Sequence, residues 1–298
     1  MIDVSMIIVS YYSGHDLPRL LSSVDAAVGS ASWHVTIVNN ALDDDLHGVL
    51  PVEERVSIVD ATENLGYSGG LNLGLEYAPA ARCVVFLNPD LTLLPGSIAS
   101  LREAIDGGAD AAVPLILDDD GLPQPSLRRE PSILAAFGEA VFGNAWPLRP
   151  QSLAEMVRDP AAYQSAHDID WATGAALAVS TDVVRRVGPW DEARFFLYSE
   201  ETDYARRIRQ QRGRIQFVPG AAVQHRGAGS GSSPQLDALL EVNKLRYFRK
   251  WHGPVASGVF GLVLLTRNAV RPHRPGAREA VRSLLSRSAR AALPGGPR

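Results

Sequence analysis

Cysteine is nearly missing from this chain: Cys83 stands alone among 298 residues, which excludes an intramolecular disulfide. Within the apolar run Cys83-Val84-Val85-Phe86-Leu87 it reads as a small core hydrophobe rather than a reactive thiol. Long apolar runs are missing too. The best candidate, residues 255–265, is interrupted by Gly258 and Gly261 and falls short of the ~20 residues that a bilayer-crossing helix needs. Met1-Ile2-Asp3-Val4-Ser5 has neither a basic flank nor a small-residue cleavage site, so no secretory signal is expected and the cytoplasm is the expected location. No internal repeat is evident. Gly66, Gly69, Gly70 and Gly74 follow the third strand-like segment and lack the G-x-G-x-x-G spacing after a first strand, which argues against a nicotinamide dinucleotide site. The basic glycine-rich loop that a nucleotidyltransferase would want after its first strand is absent from residues 10–14. What is present, 46% hydrophobic and 21% charged residues, suffices to bury one large domain or a domain with an appendage.

Charge is distributed unevenly. The net value of −4 conceals a tail, residues 244–298, with twelve Lys or Arg against the single acid Glu279. The body, residues 1–243, holds thirty-two acids against seventeen bases. No nucleic-acid partner is expected. In the tail, Val281, Leu284, Leu285 and Ala292 fall on one helical face, with Arg282, Arg287 and Arg290 away from it. Next to the short apolar run, that pattern suits a peripheral anchor on an anionic leaflet. A helical hairpin packed on the core would give the same pattern.

Residues 6–11, 35–38, 56–59 and 84–87 read as buried strands of parallel type. Residues 17–28, 71–77 and 97–105 read as intervening helices, and this alternation predicts an α/β fold. A further strand is expected over 111–116, and strand character resumes at 171–180 and 215–218. The stretch 118–170 has the poorest periodicity.

Two acidic features carry the chemistry. The apolar run ending at Leu87 delivers Asn88-Pro89-Asp90 onto a turn, and the carboxyl edge of a strand is where open α/β sheets place their ligands. Asp90 there suits a hard divalent cation, which prefers oxygen donors and bridges to phosphates. A plain turn would use the same residue types. Downstream, Glu200, Glu201 and Asp203 crowd three carboxylates into four positions, where they repel unless a cation or shared proton lies near. An acidic helix N-terminus ahead of Arg206, Arg207 and Arg209 accounts for part of this cluster.

These residues resemble the inverting glycosyltransferases of family 2. The resemblance runs in order through Val9-Ser10-Tyr11-Tyr12-Ser13, Ile37-Val38-Asn39-Asn40-Ala41, the segment 64–74, Asn88-Pro89-Asp90, Thr173-Gly174-Ala175, Val187-Gly188-Pro189-Trp190-Asp191-Glu192, the 198–203 cluster and His225. It implies a GT-A fold, a Rossmann-like and mostly parallel sheet flanked by helices, over residues 1–243. Residues 1–117 would be the nucleotide-sugar half and 118–243 the acceptor and catalytic half, with 244–298 a basic helical tail. Leu87-Asn88-Pro89-Asp90, Pro95-Gly96-Ser97-Ile98 and Pro125-Ser126-Leu127-Arg128 are similar to bacterial rhamnosyltransferase-type enzymes that build cell-wall or surface glycans.

The resemblance further implies roles. Ser10, Tyr11, Asn39, Asn64, Gly66, Asn72, Asn88 and Asp90 would bind the donor, a dTDP- or UDP-linked sugar. Asp90 and His225 would hold Mg²⁺ or Mn²⁺, and Trp171, Thr173, Gly174 and Arg128 would lie on the side of a glycan or polyprenyl-linked acceptor. Glu201 matches the position of the catalytic base, with Glu200 as the alternate. The chain departs from the family in three places: Asn39 and Asn88 stand where Asp is usual, and the acid pair is Glu-Glu rather than Glu-Asp. Those departures keep open a non-catalytic nucleotide-sugar-binding protein of the same fold, and a small-molecule aglycone remains an alternative acceptor. The oligomeric state stays open.

Overall fold

The computed structural model describes residues 1–298 apart from 51–52, 144–145, 147–148, 227–232 and 297–298. In chain order its elements are β1 (Ile2–Ser10), α1 (Leu17–Val28), β2 (Trp33–Asn39), α2 (Leu46–Val49), β3 (Val56–Asp60), α3 (Gly66–Tyr77), β4 (Ala81–Leu87), β5 (Leu91–Leu93), α4 (Ser97–Asp106), β6 (Ala111–Leu117), β7 (Leu127–Arg128) and α5 (Ile133–Val141). They continue with β8 (His167–Asp168), β9 (Trp171–Ala172), β10 (Ala176–Ser180), α6 (Thr181–Val187), α7 (Glu200–Gln210), β11 (Ile215–His225), α8 (Pro234–Trp251), α9 (Pro254–Ala269), α10 (Pro275–Leu285) and α11 (Arg287–Ala291).

The main sheet has the order β3-β2-β1-β4-β10-β6-β11-β5, with β8 on β11. β1 to β4 are parallel, as their apolar runs predict, while β10 runs antiparallel to both β4 and β6. Side chains of β1 alternate between the two faces: Val4, Met6 and Ile8 enter one core with Leu20, Val24 and Ile98, and Ile7 and Val9 enter the other with Leu71, Trp190 and Tyr204. That period of two on a strand buried on both faces is why the run reads as continuously apolar. Cys83 is buried in the first core, and burial pushes its thiol up to about 12, which makes it inert.

Several sequence expectations need correction. The helix expected over 71–77 starts at Gly66, because Gly70 and Gly74 let it lie directly on β1, where a Cβ would come within 2.7 Å of Val9 and 2.4 Å of Ile7. The strand expected over 171–180 is two strands: β9 pairs with β7, β10 joins the main sheet, and Thr173-Gly174-Ala175 breaks between them. The strand expected over 215–218 runs on to His225 through an irregularity between Val218 and Ala222. Position 243/244 lies inside α8 rather than between elements.

The tail is also not the single amphipathic helix that its periodicity suggests. Ser286 is extended and its hydroxyl accepts from the Ala289 N–H as the cap of α11, so the helix stops at Leu285. Leu285 is exposed, whereas Ala280 and Leu284 pack against α8 and its neighbours. Arg290 turns inward and donates to the Ser283 and Leu284 carbonyls. α8, α9 and α10 pack on one another, and α9 packs on α5. Among the described residues no helix is long and apolar enough to cross a membrane.

Candidate active site

The carboxyl ends of the first three parallel strands put Ser10, Asn39 and Asp60 in one row, since Ser10 pairs with Asn39 and Asn39 with Asp60. Ser10 is buried and its hydroxyl has no hydrogen-bond partner, whereas Tyr11 is half exposed beside it. The Asn39 amide donates to the Asp44 carbonyl and to Asp60 Oδ1, both at 2.9 Å. Its own oxygen accepts from the Ala41 N–H at 3.3 Å. Asp60 also meets His47 Nε2 at 3.0 Å, and these contacts, His47 first, hold its carboxyl below the usual range. Asp60 thus places a carboxylate beside Asn39, one strand over.

The glycine-rich segment makes its described contacts with neighbouring elements of the fold. Gly66 has φ +72°, and a Cβ there would lie 2.3 Å from the Phe196 carbonyl oxygen, so glycine is required by an approaching loop. Asn64 Oδ1 accepts from the Gly66 N–H and from Asn40, both at 3.0 Å. Asn72 is engaged at both ends of its amide, by the Trp190 backbone and by Glu192; we read it as a brace between α3 and that loop. Tyr67, which sequence reasoning passed over, reaches inward, and its hydroxyl donates to Asn88 Oδ1 at 3.2 Å.

At the end of β4, the Asn88 N–H donates to the Ala175 carbonyl at 2.9 Å, which ties the Asn88-Pro89-Asp90 turn to the Thr173-Gly174-Ala175 break. β5 then pairs antiparallel with the end of β11, Leu91 opposite His225. This register brings His225 Nε2 to 3.2 Å from Asp90 Oδ1, with both side chains largely buried. An anionic oxygen and an imidazole nitrogen so placed fit a divalent cation. Among the described residues no group of three or more His, Cys, Asp or Glu is placed to hold a metal ion, so other oxygens would have to complete a coordination shell.

The acid pair opens α7, after two consecutive left-handed residues, Tyr198 (φ 71°) and Ser199 (φ 69°). Such backbone persists only where its surroundings hold it. Buried Asn243 of α8 does so by donating to the Leu197 and Tyr198 carbonyls at 2.7 and 3.3 Å. Asp203 accepts from Arg207 at 3.0 Å and from Lys250 and Trp251 of α8 at 2.7 and 3.0 Å. Glu200 is buried and its Oε2 has no partner. Burial, with the charge of Glu201 second, raises its carboxyl well above the usual range. Burial likewise pushes Glu201 up to about 7.

Glu201 faces a cavity of about 320 Å³ that Arg128, Trp171, Thr173, Gly174, Lys244 and Tyr247 also line. The structure therefore brings together all four residues expected on the acceptor side with the expected base. A Cβ on Gly174 would fall 2.1 Å from Glu201 Oε1. Tyr67 lines a small cavity of about 20 Å³ with Glu201, Thr173 and Gly174, and its hydrogen bond to Asn88 places it between Glu201 and the Asn88-Pro89-Asp90 turn. Lys244 and Tyr247 come from the stretch that charge alone assigned to an appendage.

Residues 5–153 match the profile of Glycosyl transferase family 2. Over 260 residues the chain is 30% identical to the N-acetylglucosaminyl-diphospho-decaprenol L-rhamnosyltransferase of Mycobacterium tuberculosis, covering 83% of this chain and 84% of that protein. The chain belongs to glycosyltransferase family 2. The glycosyltransferase is also 27% identical to a low-salt glycan biosynthesis hexosyltransferase of Haloferax volcanii, over 70% of this chain and 62% of that one. Its fold is similar to that of GalNAc-T7 with UDP, GalNAc and Mn²⁺, with a TM-score of 0.62 at 14% identity over 97% of this chain and 57% of that chain. A mannosyltransferase of Pyrobaculum calidifontis with GDP-Man and Mn²⁺ gives 0.56 at 14% identity, over 99% and 77%. The fold is thus GT-A-like, as expected, and the chain is an enzyme of that family.

Proposed function

We propose that this enzyme transfers a hexose, rhamnose by preference, from a dTDP- or UDP-linked donor to a hydroxyl of a lipid-linked glycan, inverting the anomeric centre. The observation that carries the reading is the position of Glu201 on the acceptor-sized cavity, beside Tyr67, whose hydroxyl donates to Asn88 in the turn that sets Asp90 against His225. The mycobacterial relative, an N-acetylglucosaminyl-diphospho-decaprenol L-rhamnosyltransferase, supports rhamnose and a lipid diphosphate acceptor. The base of the donor lies against Ser10, Tyr11 and Asn39, and the sugar projects toward Glu201. Trp171 and Tyr247 give the cavity an aromatic lining suited to a sugar ring. Glu201 accepts the proton of the acceptor hydroxyl as the new bond forms. Asp90 and His225 would hold Mg²⁺ or Mn²⁺, which would offset the negative charge of the departing diphosphate.

Two protein donors are too few to retain the cation alone, so metal and nucleotide are expected to bind as a unit. In calorimetry, Mn²⁺ should bind weakly to the free protein and markedly tighter once UDP or dTDP is present. Tight binding without nucleotide, or full transfer in chelator, contradicts the scheme.

Asp60 adds a specificity expectation. Its carboxylate stands where Asn39 lacks one, and uracil and thymine present an imide N–H that cytosine does not. Exchanging a charged acceptor for a neutral one weakens a hydrogen bond, so Asp60→Asn should weaken UDP and dTDP binding by about tenfold and leave CDP little changed. An equal loss for all three nucleotides would reduce Asp60 to a support for Asn39.

A further inference from the structure

α9 buries Phe260 and Leu264 against α8 and α5, yet its opposite side is also apolar. Val255, Val259, Leu262 and Val270 recur at helical spacing and are all exposed, Val255 at 81% and Leu262 at 62%. On α5, Ile133 and Ala136 pack toward α9, while Leu134, Phe137 and Val141 form a second exposed stripe. Arg271 fastens the end of α9 to α5 by donating to the Ala140 carbonyl at 2.9 Å. Trp146, stacked edge-on against Phe142 at 5.0 Å, is exposed just beyond α5. Two helices packed side by side thus each present an apolar stripe to the outside, which a protein that stays in water rarely keeps.

The charges around this face select its occupant. No Asp or Glu occurs between residues 242 and 278, whereas Arg271, His273 and Arg274 follow α9 directly and Arg278 is close behind. The one acid of α5, Glu139, is paired with buried Arg149. A second copy of the chain would bring the same cations face to face. An anionic lipid surface would neutralise them and accept the apolar stripes between its headgroups. Pro131, just ahead of α5, and Glu139, within it, line the cavity that Glu201 faces, so a membrane seated on α5 and α9 would lie beside the mouth through which a lipid-borne sugar must enter.

We propose that the α5–α9 face is a bilayer-docking surface that seats the enzyme on anionic membrane next to its acceptor cavity. This deepens the lipid-linked acceptor reading and rests on it for purpose, though not for binding. The surface keeps the apolar run 255–265 of the anchor expected from the sequence but sets α5 beside it in place of the helix over 281–292, because α10 turns its apolar side onto α8.

Sedimentation with vesicles tests it, using the full chain and no donor or acceptor. Wild type should bind phosphatidylglycerol–phosphatidylcholine vesicles, bind phosphatidylcholine alone far less, and release as salt screens the charges. Leu262→Asp and Phe137→Asp should each reduce the bound fraction about tenfold, with melting temperatures unchanged because both positions are exposed. Arg274→Gln with Arg278→Gln should remove most of the salt-sensitive part. Wild-type protein that ignores the vesicles, or Asp variants that bind as wild type does, would overturn the proposal. So would a concentration-dependent dimer that Leu262→Asp dissolves, which would give the face to a second copy. Vesicle binding without transfer to a detergent-dispersed polyprenyl-diphosphate sugar would keep the surface and reject the acceptor; transfer without vesicle binding would do the reverse.

Discussion

Glu201→Gln is expected to lower transfer by about a hundredfold or more, with donor affinity near that of wild type, because the amide keeps the shape of the carboxylate but cannot take a proton. The wild-type pH profile should carry the same signature. Burial holds Glu201 at about 7 instead of its ordinary 4.5, and a base works only when ionised. Activity should therefore rise through neutrality, with kcat/KM at pH 6 roughly tenfold below its plateau. Stability has the opposite slope. A carboxyl whose folded pKa is raised contributes stability that is fully present below about pH 4.5 and is lost as pH rises through its folded value near 7. Glu200, raised further by burial and then by the charge beside it, adds to that slope, so Glu200→Gln should raise the melting temperature at pH 8 more than at pH 5. A kinetic comparison decides between the two acids: if Glu200→Gln abolishes transfer and Glu201→Gln does not, their roles are exchanged. Normal rates in both variants would remove the base altogether.

What the sequence revealed of this site, and what it hid, follows from the range over which each feature is determined. Asp90 was legible because a local signal, an apolar run halted by Pro89, fixes both the strand and its end. Glu201 was legible as part of a costly local cluster. Asp60 was hidden, because an aspartate ending a strand has no local mark; only the register Asn39 to Asp60 gives it a neighbour to compensate. Tyr67 was hidden for a similar reason, its hydroxyl reaching Asn88 across two elements. The glycines at 70 and 74 were visible, but their use was not. Spacing of four on a helix matches close packing on Val9 and Ile7 as well as it matches a ligand, and contact distances choose the packing. In the tail, periodicity passes unbroken through Ser286, where the backbone itself turns out of the helix to cap the next one. The same limit assigned Asn243 and Lys244 to opposite sides of a boundary, although α8 carries both, one holding the loop before the acid pair and the other lining the cavity.

Gly174→Ala is expected to cost transfer nearly as much as removing the base, although it adds only a methyl group. The new Cβ would stand 2.1 Å from Glu201 Oε1, 2.6 Å from its Cγ and 2.7 Å from its Cδ, which no side chain tolerates. The Glu201 side chain can swing away more cheaply than the backbone can move. Thr173, which donates through its N–H to the Ser126 carbonyl at 3.0 Å, and Ala175, which accepts from Asn88, hold the segment on either side. The carboxylate must then leave its place by about 1 Å or more, a misplacement that costs on the order of a hundredfold in a positioned reaction. The loss should fall on kcat, with donor KM unchanged, since the row proposed for the donor base, Ser10, Asn39 and Asp60, ends strands β1, β2 and β3, away from the segment between β9 and β10 that holds Gly174. Because the methyl acts through Glu201, adding Gly174→Ala to Glu201→Gln should lower the rate little further, a strongly non-additive cycle. Independent, multiplying losses would mean that Gly174 serves the acceptor directly. An active Gly174→Ala enzyme with a normal pH profile would remove Glu201 from the reacting centre.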